Sequence, residues 1–260
     1  MILITGTYRV IITALLFSLF GLGAVFISSV VYPVISLLER NRNKRVYLIR
    51  RMTARSFKIF FLTAAFLRIL RLDIKNSEKT SGDHGVIYIS NHPSLIDYVL
   101  LTSCIKNSSS CVIKGGLTFN PFLKGIIACN NYIPNNQDPG VILDKCRNLL
   151  NCGDNLLIFP EGTRTVDENH LKFTHGFARI ALSGPFALRP VIIKYRGQAL
   201  RKHIPWYRVF SGKFEYEIIF EELFDTGDFV AKNHYHEYSA LSRTLAREMQ
   251  NFVLKCKQEK

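Results

Sequence analysis

Between Val10 and Leu38 the chain carries no charged residue. A run of this kind constrains the fold before any motif is considered, because roughly 20 consecutive apolar residues suffice to cross about 30 Å of hydrocarbon. Gly21, Gly23 and Pro33 interrupt it, so a straight span and a kinked or re-entrant path are both open. It is longer than the apolar core of a secretory signal peptide, and no small-residue cleavage site follows it, so it reads as a membrane segment. Glu39–Arg55 next carries Arg40, Arg42, Lys44, Arg45, Arg50, Arg51 and Arg55, against Arg9 alone on the other side. The positive-inside rule then places the N-terminus outside and everything after Arg40 on the cytoplasmic face of the membrane. Ser56–Leu72 (SFKIFFLTAAFLRILRL) is apolar with Lys58, Arg68 and Arg71 along it. Either it lies in the membrane interface as a helix, or it is a core helix with a basic edge.

Asp73–Gly85 is polar and ends in turn residues. It divides the chain into a membrane part, residues 1–72, and a second part, residues 73–260, long enough for one domain. The formal charge of +14 implies an anionic partner, either nucleic acid or an anionic membrane surface. Much of the excess stands beside the apolar run, where the positive-inside rule already accounts for it. Nucleic acid is therefore set aside and the lipid bilayer kept as partner. The six cysteines form no Cys-x-x-Cys pair, which argues against a zinc site or a disulfide framework and fits a reducing compartment.

Within residues 73–260, strand-length apolar runs alternate with helical patterns, which predicts a layered α/β domain with functional groups gathered at strand ends. Val86–Ser90 (VIYIS) reads as a buried strand, and Ser94–Ile105 as a helix with Pro93 at its first position. His92 then stands at a strand-to-helix corner, with Asp97 a turn into the helix. That spacing returns the carboxylate to the imidazole. A carboxylate on one ring nitrogen fixes the tautomer and stabilises the imidazolium, leaving the other nitrogen to take a proton. With no Gly-x-Ser-x-Gly anywhere to supply a nucleophile, such a pair suits deprotonation of a substrate hydroxyl. Taken alone, His-x-x-x-x-Asp also describes a helix start whose dipole favours an acidic residue.

A second corner follows Asn155–Ile158 (NLLI), at Phe159–Thr165 (FPEGTRT). Arg164 is its candidate anion contact, since a guanidinium grips phosphate oxygens bidentately. Gly162 lets the backbone come close, and Thr163 offers a hydroxyl. Lys114, after the strand-like Cys111–Ile113, is either a phosphate contact or a solvated lysine. Downstream, Asp138–Pro139 opens a helix closed by Gly153, and Phe177–Ser183 forms another. Leu188–Tyr195 is a strand, and Phe214, Tyr216, Ile218 and Phe220 alternate with Lys213, Glu215 and Glu217 as in a half-buried one. Tyr238, Leu241, Leu245, Met249 and Phe252 share one face of a C-terminal helix. Arg201–Phe210 (RKHIPWYRVF) reads as a surface loop, with a membrane-interface contact as the alternative, and His234 and His236 as surface residues.

Together NHPSLID, at Asn91–Asp97, and FPEGTRT resemble the glycerolipid acyltransferase family, typified by 1-acyl-glycerol-3-phosphate acyltransferases. Lys114, Pro121 and Gly125 match its second motif, and Pro190–Val191 its fourth. The resemblance implies a mixed sheet flanked by helices, with a cleft holding an acyl thioester beside the His92–Asp97 pair. The activity implied is acyl transfer from acyl-CoA or acyl-carrier protein to the hydroxyl of a lysophospholipid, with His92 as general base and Asp97 orienting it. No cofactor or metal is required, because the donor is already activated. Glu161 is implied to belong to the acceptor site, although it can equally pair with Arg164 and hold the turn. One departure stands out: Asn135 occupies a place where phosphatidic-acid-forming members usually carry arginine. The wording of NHPSLID also resembles members of specialised pathways of aryl polyene type, with a different lipid acceptor. A non-catalytic lipid-binding module is the remaining alternative, and the intact His92, Asp97, Glu161 and Arg164 count against it.

Overall fold

The computed structural model describes residues 2–197, 200–208, 214–233 and 237–258. Its N-terminal rod is α1 (Ile2–Phe26), five π-helical residues Ile27–Val31, and α2 (Tyr32–Leu38). Helical dihedrals continue through Val31 and Tyr32, so the glycines do not break the rod. Pro33 falls at the start of α2, directly after the wider π turn, which accommodates the missing N–H that would strain a regular helix interior. Gly6–Leu38 is long and apolar enough to cross a membrane. Ile11, Leu15, Leu19, Leu22 and Phe26 lie exposed along it at near-helical spacing.

Helix α3 (Arg42–Phe66) follows after three residues, capped by Asn41, whose side chain accepts from the N–H groups of Asn43 and Lys44. It therefore begins inside the basic stretch, well before Ser56. Ile49, Thr53, Phe57, Phe61 and Ala64 bury one face of α3 against the core. Its other side leaves Ile59, Leu62 and Phe66 exposed. Phe20 of α1 stacks on Phe57 with ring centroids 5.7 Å apart. Arg68 adopts a left-handed conformation (φ 57°) that stops the helix, and Leu70–Leu72 belong instead to β1 (Leu70–Lys75).

The remaining elements are β2 (Ile87–Ser90), α4 (Asp97–Cys104), β3 (Ser109–Ile113), α5 (Lys124–Cys129), β4 (Ile133–Pro134), α6 (Pro139–Asn151), β5 (Asn155–Ile158), α7 (Gly176–Leu182), β6 (Leu188–Arg196), β7 (Phe214–Phe220), α8 (Thr226–Lys232) and α9 (Tyr238–Gln258). The strands form one sheet in the order β1-β7-β6-β2-β5-β3-β4, parallel throughout except for the β6–β7 pair. This is the expected mixed sheet flanked by helices. Strands of a mostly parallel sheet are covered on both faces. Ile87, Ile89, Leu156 and Ile158 pack on one face against α6, α7 and α9. Tyr88, Leu157, Val191 and Ile193 pack on the other against α1, α3 and α4.

Local expectations fare differently. Asp138 caps α6, and Gly153 (φ 82°) follows its end. The buried stripe of α9 is Leu241, Leu245, Met249 and Val253, a spacing of four, which turns Tyr238 and Phe252 outward. Trp206 meets Phe17 of α1 edge-on at 5.9 Å, so its loop lies against the apolar rod. Lys213, His234 and His236 lie outside the described residues.

Candidate active site

The parallel strands β2, β5 and β3 bring His92, Glu161 and Lys114 to one edge of the sheet, beyond their carboxyl ends. The corner after β2 is pinned by Asn91, which is fully buried. Its amide donates to the carbonyl of Ile193 (2.8 Å) and accepts from the Ile193 N–H (2.9 Å), completing a β6 ladder that the chain leaves at this point.

His92 Nδ1 lies 2.8 Å from Asp97 Oδ2. Asp97 is fully buried and also accepts from the Ser94 N–H (2.7 Å) and the Ser94 hydroxyl. Regular helix starts at Asp97 rather than at Ser94, because residues 94–96 form a turn closed by these bonds. Asp97 is therefore the first helical residue, and its carboxylate points back into the corner. Tyr216 of β7 donates to Ser94 Oγ at 2.7 Å, tying the corner to the far side of the sheet. Burial, together with the Asp97 charge, pushes the Tyr216 phenol well above its ordinary value and keeps it a neutral donor. The imidazole stacks on Phe159 with centroids 4.2 Å apart and planes 21° apart. Its side chain keeps 19% of its exposure, and Nε2 has no hydrogen-bond partner among the described residues. The ring is thus held at one nitrogen and on one face, with the second nitrogen available to a ligand.

FPEGTRT grips the backbone of His92. Glu161 Oε1 accepts from the His92 N–H (3.1 Å) and from the Thr165 hydroxyl (2.6 Å). Burial pushes the Glu161 carboxyl above its ordinary range, although both hydrogen bonds pull the other way. No Glu161–Arg164 ion pair forms among the described residues. Arg164 Nη1 instead donates to the carbonyls of Leu200 and Arg201, each at 3.0 Å. Its other guanidinium nitrogens have no hydrogen-bond partner among the described residues. Leu200 also accepts from the Leu95 N–H, so one carbonyl joins the two motifs through the loop after β6. Gly162 has a φ of 65°, the left-handed conformation that glycine adopts without strain. Thr163 is exposed beside it. Lys114 is exposed at the end of β3, and Asn135 holds the next residue by accepting from the Gly115 N–H (3.0 Å).

Ser94, Thr165, Phe159 and Tyr216 escaped the sequence reading as parts of the site. Ser94 carried a signal: Ser-x-x-Asp before an apolar run is a capping box. The other three reach His92 or its partners only through the fold.

The Acyltransferase family model matches residues 71–194. Among curated proteins, the chain is 26% identical over 188 residues to the chloroplastic 1-acyl-sn-glycerol-3-phosphate acyltransferase LPAT1 of Arabidopsis thaliana, covering 69% of this chain and 50% of that protein. It is 26% identical over 174 residues to the chloroplastic 1-acyl-sn-glycerol-3-phosphate acyltransferase BAT2 of Brassica napus, covering 65% and 48%. The chain thus spans about half the length of these relatives. Among solved structures, the 1-acyl-sn-glycerophosphate (LPA) acyltransferase PlsC of Thermotoga maritima shares the fold over 100% of both chains, with a TM-score of 0.67 at 20% identity. The family model thus falls on the stretch that carries both NHPSLID and FPEGTRT, the two motifs that resemble the same family.

Proposed function

We propose that the chain is a membrane-bound O-acyltransferase that moves a fatty acyl group from an acyl thioester to the hydroxyl of a lysophospholipid such as 1-acyl-glycerol-3-phosphate. The observation that carries this reading is the 2.8 Å contact of His92 Nδ1 with buried Asp97, which leaves Nε2 to act as general base. Nε2 takes the proton from the acceptor hydroxyl as its oxygen attacks the thioester carbonyl. The new C–O bond forms, the C–S bond breaks, and the departing thiolate receives the proton that His92 carries. Asp97 orients the ring and stabilises the imidazolium between the two transfers. No covalent enzyme intermediate and no cofactor enter this sequence. The donor is acyl-CoA or acyl-carrier protein.

Arg164, through its unbonded guanidinium nitrogens, and Lys114 are the proposed phosphate contacts, with Thr163 beside them. Glu161 and Gly162 shape the turn that carries Arg164. Residues 1–69 act as the membrane part, the boundary expected at residue 72 moving back to the start of β1, with residues 70–260 as the acyltransferase domain on the cytoplasmic side. The exposed apolar stripe of α1 supports that placement.

Asn135 favours keeping a second acceptor class in view, because its side chain is engaged with Gly115 where an arginine could have met phosphate. A transfer assay in lipid nanodiscs decides the matter, offering labelled acyl-CoA and acyl-carrier protein against several lysophospholipids with His92→Ala alongside. A His92-dependent product from 1-acyl-glycerol-3-phosphate is expected. Transfer only to another lipid would move the chain to a specialised pathway. Transfer by His92→Ala would overturn the general-base assignment.

A further inference from the structure

A cavity of about 800 Å³ opens at the opposite end of α4 from the His92–Asp97 pair, lined by Cys104 and Ile105 there. It runs along α3 and β1, and no residue of the site described above lines it.

Its charges are of one sign. Arg51, Arg55 and Lys58 stand at i, i+4 and i+7 on α3 and so share one face of that helix. Arg68 and Arg71 come from the turn after α3 and from β1, and Lys106 from the loop after α4. No Asp or Glu lines the cavity, and none of these six cations makes an ion pair among the described residues. Arg50 also lines it, but Arg50 is buried and already bound by Asp154 (2.7 Å) and the Asn130 carbonyl (2.9 Å), which makes it structural. Like charges crowded around a partly enclosed space raise the local potential and favour a bound anion.

Among the cations the wall carries an apolar strip, Phe61, Leu62, Leu70, Leu72 and Ile105, beside polar Ser103, Asn107 and Ser108. A ligand that satisfies both surfaces carries an anionic group and hydrocarbon together. The position argues for its source. α3, which lines the cavity, leaves α2 after only three residues, so the cavity is built on a helix joined directly to the rod that is long and apolar enough to cross a membrane. Ile59, Leu62 and Phe66 are exposed on the same helix.

We propose that this cavity binds an anionic phospholipid of the bilayer, its phosphate held by Arg51, Arg55 and Lys58 and its chains laid against Phe61 and Leu62. The lipid is a resident of the fold and not the acceptor of the reaction.

The full chain in uncharged maltoside micelles is titrated calorimetrically with dihexanoyl-phosphatidylglycerol, dihexanoyl-phosphatidylcholine and inorganic phosphate. Saturable binding of the phosphatidylglycerol is expected, with the zwitterionic lipid and free phosphate much weaker. The triple variant Arg51→Gln/Arg55→Gln/Lys58→Gln weakens it about tenfold or more, and His92→Ala leaves it unchanged. Arg71→Gln with Lys106→Gln provides a second, milder variant with an intermediate loss, and unfolding temperatures measured without lipid check that each variant is folded. Equal binding of phosphatidylcholine, or of free phosphate, would overturn the proposal. So would unchanged affinity in the folded triple variant, or loss on His92→Ala, which would place the lipid in the reaction site.

Discussion

Thr165 holds the backbone of His92 twice: its N–H donates to the His92 carbonyl at 2.7 Å, and its hydroxyl oxygen accepts the His92 N–H at 3.2 Å. The same hydroxyl donates to Glu161, so one side chain aligns the second motif with the first. Thr165→Val keeps the shape and removes the hydroxyl. Leaving Glu161 and the His92 N–H short of a partner is expected to cost about 1–3 kcal/mol of stability. Because Thr165 is buried and bonds the His92 backbone, kcat should fall more than KM changes, and Thr165→Ser should restore both. Steady-state kinetics and thermal unfolding of the two variants check this.

Asp97→Asn retains the volume but changes what faces Nδ1 and removes the charge proposed to stabilise the imidazolium. Turnover should fall roughly 10³- to 10⁴-fold while membrane association is unchanged. A variant within a few-fold of the parent in the nanodisc assay would show that the carboxylate only caps α4.

Glu161 makes a prediction about pH. Its carboxyl is raised above 4.5 by burial, so the folded chain binds the proton more tightly than the unfolded chain does. Stability contributed by this group is then lost as pH rises through the window just above 4.5. Glu161→Gln avoids burying the charge. The variant should unfold at a higher temperature than the parent near neutral pH, and the gap should close as pH approaches the carboxylate range. Calorimetric scans of both proteins between about pH 4 and pH 8 test the sign.

A different ion pair bears on folding alone. Arg189 grips Asp83 with Nε at 2.6 Å and Nη2 at 2.7 Å, and both side chains are buried. Tyr88 donates to the same carboxylate, and Arg189 Nη1 reaches the Glu221 carbonyl at 2.6 Å. Asp83→Asn leaves the guanidinium buried without its counter-charge, which should cost about 3–5 kcal/mol. Denaturant unfolding measures the loss. Turnover per folded molecule should be unchanged, since Asp83 touches nothing in the candidate site.

The central strands were legible because VIYIS, NLLI and LRPVIIKY are buried on both faces and therefore rich in consecutive apolar residues, with Arg189 and Lys194 the charged exceptions. β1 was not. LRLDIK sits at the sheet edge, where only Leu70 is buried, and its apolar start merges with the end of α3. The break between them is Arg68 in a left-handed conformation, a role that sequence normally marks with glycine. The His92–Asp97 pair was legible because both partners lie within one turn of chain. The Thr165–His92 and Tyr216–Ser94 contacts were not, being 73 and 122 residues apart and created by strand order. Arg164 was expected to face an anion or Glu161. Its bonds to Leu200 and Arg201 arise from a loop whose path no local pattern specifies.

Only Leu67–Ile69 separate α3 from the first strand of the sheet, and α3 itself is packed against the core along a buried face. A catalytic domain on a flexible tether samples a cloud of heights above a membrane, and its effective concentration at the surface falls as the tether lengthens. Here there is no tether to sample with. On the proposed membrane placement, the depth at which His92 would meet a lipid is fixed by the packing of α3, as rigidly as the reach of a tool is fixed by its handle.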